Sequence, residues 1–549
     1  MPTTILYNGT IYTLDPALPK VQAIAVRDGR VLAVGSEGKV AAAGGGRAEG
    51  INLRGRAVVP ALTDAHVHLV AHALRRREVN LDGVNDFDAA LRQIAHAADA
   101  LPSGAWLRGG GWDHVRWGGH WPAAAALDAI TPDRPALLLR KDGHCGWANS
   151  RALALAGIDA TTPDPAGGSI RRDGEAPTGL LFENAIDMVR RLIPAPTHAD
   201  RLDAVRDAIA EAHSYGMVGM HIPPNLDPGD GALALRIVQQ LREQGQLGLR
   251  CLVHLDSATL DQAIGLGLRS GLGDHWIRLG AVKLFADGTL GSETAELLRP
   301  YTGKRSTGMQ TITTAELDET VRKANTSGIA VIVHAIGDGA NRRVLDAIAA
   351  VQQGSGLRVQ GSGNSDPRTL NPEPWKPIPN RIEHCQLLDP EDIPRFAQLG
   401  VVASMQPIHC TSDIEIAEKL WGERCATAYA WKALQQAGAV LAFGSDAPVE
   451  SLNPWYGIHA AVTRRRRDGT PAGGWHAEQC LSLGDALRGF TVGAAYAAGA
   501  AHEQGMLRPG MLADMAVLNA NPFAVAPDEL HRIAADMTFA EGEIVWERN

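Results

Sequence analysis

At 549 residues, with 45% apolar residues and a net charge of -9, the chain can build a large core and has neither a disordered polymer's composition nor a nucleic-acid binder's basic face. No apolar run reaches the roughly 18 to 20 residues that span a membrane, and the opening MPTTILYNGTIYTLDP has no basic segment followed by an apolar one. Six cysteines without a CxxC spacing predict a reducing compartment and no disulfide framework, so the expectation is a soluble cytoplasmic protein that meets neither nucleic acid nor membrane.

Residues 1 to 56 read as short strands and turns, with Asp28 and Gly29 as the turn of a hairpin. The far C-terminus, MLADMAVLNANPF and MTFAEGEIVWE, has the same texture. The two ends, 1–56 and 505–549, therefore predict one small discontinuous β-sandwich domain beside a central domain over 57–504.

The central domain opens with a strand over 57–66, followed by an insertion at about 80–200. WLRGGGWDHVRWGGHWP and ALLLRKDGHCGWANS in that insertion are rich in Gly, Trp and His and depart from the helix-strand pattern elsewhere, so it reads as a lid or pocket wall of loops. Further on, TTAELDETVRKANTSG puts Leu317, Val321 and Ala324 on one helical face, with Thr313 and Glu316 in capping-box register and Gly328 as a stop. The strand-like IAVIVHAIGD follows at once.

The same order recurs in RLDAVRDAIAEAHSYG before MVGMHI, in DPEDIPRFAQLG before VVASMQP, and in YAWKALQQAG before AVLAFGSD. In DPEDIPRFAQLG, Asp389 and Pro390 supply N-cap and N1 chemistry. A Gly, Ser and Pro-rich stretch at about 353–379 reads as a flexible surface loop. RRRR at 464–467 reads as a solvated helix face.

Eight strands emerge, at 57–66, 217–222, 249–254, 278–285, 329–334, 380–385, 400–406 and 440–445. Helix-then-strand repetition with β-branched runs predicts a parallel sheet covered by helices, and eight strands predict a (β/α)8 TIM barrel. An open doubly wound sheet would place a Gly-rich phosphate loop after the first strand, and TDAHVHL is not one.

Six candidate metal ligands stand at the C-terminal ends of these strands, where barrels carry their chemistry. They are His66 and His68 in TDAHVHL, Lys283 in AVKLFADG, His334 in AVIVHAIGD, His384 in RIEHCQLL and Asp446 in LAFGSDAPV. With 19 histidines an HxH arises by chance about 0.7 times, so barrel register carries the weight, not the motif. Side chains two apart on a strand share a side, so His66 and His68 can chelate one ion. A buried Lys283 can lose its proton and add carbon dioxide, giving a carbamate that bridges two metals, or it can pair with Asp287. Cys385, beside His384, reads as a buried apolar residue.

The segments NGTIYTLD, VVPALTDAHVHL, KDGHCGWANS, APTGLLFENA, VKLFADGTLGS, VHAIGDGAN, RIEHCQLL, SMQPIH, GSDAPVESLNP and GMLRPGMLADMAVL occur in an order that resembles the amidohydrolase superfamily. Within it they resemble the YtcJ-like branch that includes N-substituted formamide deformylase. The resemblance implies a metal-dependent hydrolase with one or two divalent ions, zinc first. It places His66 and His68 on the more buried metal, Lys283 as a carboxylated bridge, His334 and His384 on a second metal, and Asp446 as ligand and proton shuttle.

In that scheme metal-bound hydroxide attacks a C–N amide-type bond of a small N-acyl or N-formyl compound. Cyclic amide opening or deamination, ester or carbamate cleavage, and a non-catalytic binding role are the alternatives. Trp112, Asp113, His144, Gln406 and His409 are the expected substrate contacts, with Trp112 equally readable as a loop anchor. His221 in GMVGMHIPP is kept, but Ile222 follows where relatives carry Asp. A small molecule is the expected partner, with a homodimer as the assembly prior.

Overall fold

Val331, Ile332 and Val333 are wholly enclosed, and the strand they build lies mid-sheet with helices around it. In the computed structural model, which describes residues 3–45, 48–141, 144–224, 230–355 and 378–548, this strand belongs to an eight-stranded parallel sheet. Its members are β1 (Leu62–Asp64), β2 (Met217–Ile222), β3 (Arg250–Asp256), β4 (Ile277–Phe285), β5 (Val331–Ala335), β6 (Arg381–His384), β7 (Val402–Met405) and β8 (Leu441–Phe443). Each pairs in parallel with the next in chain order. Ala65 N–H donates to the Phe443 carbonyl at 2.9 Å and Asp446 N–H to that of His66 at 2.8 Å, which brings the outer strands together into a nearly closed barrel. The predicted TIM-type architecture is present.

The helix Thr314–Thr326 carries the predicted capping box between Thr313 and Glu316, and buries Leu317, Val321 and Ala324. Two local expectations shift. The helix assigned to start at Pro390 spans Ile393–Leu399, because Asp389 is used in a preceding turn: its carboxylate accepts the Glu391 N–H at 3.0 Å and its carbonyl the Asp392 N–H at 3.0 Å. The strand expected over 57–66 breaks in two. Ala57–Pro60 pairs with Thr10–Tyr12 and with Met515–Leu518 instead of entering the barrel.

That pairing draws both ends of the chain together. A six-stranded sheet contains Thr10–Tyr12, Lys20–Val21, Ala57–Pro60, Met515–Leu518, Ala535–Ala540 and Glu543–Glu547; a four-stranded one contains Thr4–Tyr7, Ala23–Arg27, Arg30–Gly35 and Glu49–Asn52. Leu6, Ile24 and Val26 from one and Val58, Val517 and Phe539 from the other share a single apolar cluster, as in a sandwich.

The RRRR run is not uniformly solvated. Arg464 ends the helix Pro454–Thr463 in a left-handed conformation and is fully buried, its guanidinium 4.6 Å from the Trp431 ring and 5.1 Å from that of Trp475. It donates to the Tyr429 carbonyl at 2.9 Å, so the charge is satisfied by backbone oxygens and aromatic faces. Arg465 and Arg466 pair with Asp528 and Glu415 at the surface, as the solvated reading holds.

The chain divides into two compact units, Met1–Leu69 with Arg206–Asn549, and Val70–Val205. The second contains a six-stranded sheet of its own, from Gly168–Asp173, Ala176–Glu183, Cys145–Ala148, Ala136–Arg140, Leu107–Trp112 and Val79–Asn80. So the insertion is a folded body with a tryptophan-rich core, not a set of loops. Its glycines explain the misreading: a Cβ on Gly109 would lie 2.2 Å from the Val79 carbonyl, so the Gly-rich segment is a strand that must approach its neighbour closely. The stretch at about 353–379 lies almost wholly outside the described residues.

Candidate metal centre

Strand ends bring the six predicted ligands into one part of the barrel unit. His66 and His68 follow β1, Lys283 is on β4, His334 on β5, His384 ends β6, and Asp446 follows β8. Three neighbouring positions have left-handed backbones, His384 at φ 75°, Cys385 at 46° and Asp446 at 60°. For non-glycine residues this is costly and is sustained where the surrounding structure over-determines the turn.

Asp64 organises two of these strands at once. Its Oδ1 accepts the N–H of His66 and that of Ser445, each at 3.0 Å, so one buried carboxylate fixes both the HxH segment and the loop that carries Asp446. Gly444 must be glycine here, because a Cβ would stand 2.5 Å from His66 N and 2.6 Å from Asp64 Oδ1.

The ring nitrogens show what the histidines can hold. His66 Nδ1 is 2.5 Å from Glu383 Oε2; an ionised carboxylate only accepts, so Nδ1 carries the proton and Nε2 keeps its lone pair. His384 Nδ1 donates to Gln406 Oε1 at 2.8 Å, leaving Nε2, and His334 Nε2 donates to the Gly288 carbonyl at 2.9 Å, leaving Nδ1. Three imidazoles thus have one nitrogen spent on a protein oxygen and the other available. His66 Nε2 is buried with no hydrogen-bond partner, 3.5 Å from Asp446 Oδ1, and His68 Nε2 is 3.3 Å from the same oxygen. Donor atoms of His66, His68 and Asp446 lie within 4.8 Å of one another, as do those of His384, His409 and Asp446. Neutral imidazoles around a carboxylate fit a divalent ion.

Electrostatics act in the same direction. Burial, and then the nearby Lys283, lower the His66 and His334 pKa values, the latter to about 4. Burial and the neighbouring His334 push His384 well below its ordinary value. Burial alone would raise the Asp446 carboxyl, but its contact with His68 and the nearby His66, His384 and His409 hold it well below the usual carboxylate range. Lys283 is buried and pulled down to about 8 by desolvation, against the pull of Glu383 and Asp446. Asp287 does not neutralise it; that carboxylate accepts backbone N–H groups of Glu296, Ile336 and Gly337. Cys385 is buried with its thiol pKa pushed well up, chiefly by desolvation, as befits an inert packing residue.

Of the expected substrate contacts, Gln406 and His409 stand beside the ligand set. His409 Nε2 is 3.8 Å from Asp446 Oδ2 and shares a group of close donor atoms with it and His384, near enough to meet either an ion or a substrate held there. The other three belong to the unit Val70–Val205. Trp112 is a core residue there, fully buried with its indole N–H donating to the Leu138 carbonyl at 2.8 Å, which is the anchoring alternative. Asp113 caps the short turn His114–Trp117 and pairs with Arg140 at 3.2 Å; His144 is exposed, 3.0 Å from Glu183.

Three residues had not been singled out: Asp64, Arg381 and Glu383. The signal was present in RIEH, where two opposite charges sit two apart on a strand and so face the same side.

A parallel barrel with histidines, a lysine and an aspartate gathered at its strand ends is the plan of a metal-dependent hydrolase. The chain belongs to the Amidohydrolase family, whose sequence profile matches residues 49–546. It is 35% identical to protein LONG AFTER FAR-RED 3 of Arabidopsis thaliana, over 94% of this chain and 87% of that one, and 32% identical to putative amidohydrolase YtcJ of Bacillus subtilis (strain 168), over 99% of each. N-substituted formamide deformylase of Arthrobacter pascens is 27% identical over 99% of this chain and 98% of its own. Among solved structures, an uncharacterized metal-dependent hydrolase from Pyrococcus furiosus superposes with a TM-score of 0.72 at 28% identity, covering 95% of this chain and 99% of that one. No helix among the described residues is long and apolar enough to cross a membrane.

Proposed function

We propose that this hydrolase cleaves the C–N bond of a small N-acyl or N-formyl compound. The observation that carries the reading is the orphaned His66 Nε2, buried beside His68 and Asp446 with its lone pair facing the carboxylate. When bound there, one or two divalent ions, zinc first, would polarise a carbonyl and acidify a water. His66, His68 and Asp446 would hold one ion, and His334 and His384 a second. Lys283, fully buried with its amine partly unprotonated near neutrality, would join them as a carbamate.

Asp446 is the proton carrier in this reading. Its carboxylate, ionised and encircled by imidazoles, takes a proton from the attacking water at Oδ1 or Oδ2 and returns it to the leaving nitrogen. Gln406 Nε2 and His409 Nε2 are buried without hydrogen-bond partners, and we assign them to the substrate's polar atoms. The 27% identity to an N-substituted formamide deformylase puts N-formyl compounds first.

The test is metal analysis of the purified protein, together with turnover on matched N-formyl, N-acetyl and ester substrates. Bound metal with preference for an N-formyl or N-acetyl compound supports the proposal. A metal-bearing protein that turns over only the ester overturns the bond assignment. Protein that takes up no metal, and stays inert when metal is added, overturns the metal centre.

A further inference from the structure

Across the barrel interior from His66 lies a charged pair that a hydrophobic core would exclude. Arg381 and Glu383 alternate on β6, both entirely buried, with Arg381 Nε 3.0 Å from Glu383 Oε1. The other carboxylate oxygen, Oε2, is the one that receives His66 Nδ1–H at 2.5 Å. Arg381 is anchored in turn: its Nη1 donates to His221 Nδ1 on β2 at 2.8 Å, and its Nη2 faces His254 Nε2 on β3 at 3.1 Å. Burial, and then the guanidinium between them, hold both imidazoles neutral, so they add no second charge to the core.

We infer that Glu383, held by Arg381 and through it by His221, is the positioning residue of the HxH pair. It fixes the tautomer and rotation of His66 so that Nε2 faces Asp446. This rests on the reading of His66 as a metal ligand and adds to it a residue that touches neither metal nor substrate. A buried ion pair gains little over well-packed apolar residues of similar volume, so stability alone gives weak reason for this one. Glu383 uses its two oxygens differently: Oε2 takes the imidazole N–H, and Oε1 stands in ion-pair contact with the guanidinium, with no hydrogen bond formed between them. That is the geometry by which an outer carboxylate orients a ligating histidine and raises its basicity. It also gives the buried His221 a role: the histidine serves Arg381 inside the barrel.

The experiment must separate positioning from charge balance. In the full-length chain the pair is replaced by apolar residues, R381M with E383L, which leaves no uncompensated charge, and in parallel by R381M with E383Q, whose amide oxygen can still accept the His66 proton. Zinc affinity is read by competition with a chromophoric chelator, and stability by thermal unfolding of the metal-free proteins. Positioning predicts that R381M/E383L binds zinc about 10- to 100-fold more weakly than wild type, the usual loss when such a partner is removed. R381M/E383Q should recover at least about threefold of that loss, with a similar Tm for both.

If Glu383 only balances Arg381, removing both charges leaves zinc affinity within twofold of wild type, and the inference falls. Should R381M/E383L fail to fold, R381M/E383A takes its place beside R381M/E383Q: zinc binding at least threefold weaker in the alanine variant supports positioning, and equal affinity in the two overturns it. A wild-type protein that binds no zinc overturns the metal-centre reading and this inference together. Wild-type binding with unchanged variants overturns only the role of Glu383.

Discussion

Both carboxylate oxygens of Asp64 receive the Ser445 N–H, at 3.0 and 3.1 Å, joining the first barrel strand to the loop after the last. The His66 N–H lands on the same group at 3.0 Å. Replacing Asp64 by alanine strands two buried backbone donors, each costing about 1–3 kcal/mol. We expect Asp64→Ala to lose about 2–6 kcal/mol in urea unfolding of the metal-free protein. A loss below about 0.5 kcal/mol would mean that the strand ladders close the barrel unaided.

Asp446→Ala should retain part of the metal, since the histidines remain, while kcat falls by at least about 10². Metal content and steady-state turnover, measured on one preparation, check this. Turnover near the wild-type level would remove Asp446 as the proton carrier.

Lys283 has its ammonium pulled down to about 8 by burial, so the neutral amine that reacts with carbon dioxide grows from a minor to the major form between pH 7 and 9. Chelator-stripped protein given zinc should regain activity faster with bicarbonate, at a rate that rises over that interval. Lys283→Ala should lose metal or activity and show no bicarbonate effect. An alanine variant with full metal and full activity excludes the carbamate.

Much of this centre was legible because barrel strands announce themselves. Thr313 and Glu316 mark a helix start, Gly328 its stop, and the β-branched run after it leads to His334. What stayed hidden depends on contacts between distant residues. Arg381 and Glu383 read as ordinary strand charges until His66, 317 positions from Glu383, is placed against the carboxylate. Arg464 read as solvated because nothing local reveals that Trp431 and Trp475 enclose it. The glycines at 109–111 signalled a loop, since close backbone packing and chain flexibility use the same residue.

His213 provides a test of stability that does not involve the centre. It is buried, its Nε2 donates to the Gly248 carbonyl at 2.8 Å, and burial lowers it to about 4 against that hydrogen bond. A folded-state value below the unfolded one near 6.5 means that the unfolded chain binds the extra proton. The contribution is therefore intact above about pH 6.5 and lost as pH falls toward 4. By pH 5 it should cost about 2 kcal/mol. His213→Gln, which can donate to the same carbonyl without titrating, should show a loss between pH 7 and 5 smaller by about that amount. Identical slopes in urea titrations of the two proteins would assign the acid sensitivity elsewhere.

The pairing of Ala57–Pro60 with Met515–Leu518 sets an order of assembly. Leu62 follows directly, so the stretch that delivers His66 and His68 is anchored on one side by a strand made more than 450 residues later. During synthesis Ala57–Pro60 would have only its other neighbour, Thr10–Tyr12, to pair with until the C-terminal strands emerge. On the proposed assignment of His66 and His68 as ligands, the HxH pair would reach its final geometry only once Met515–Leu518 has paired with Ala57–Pro60.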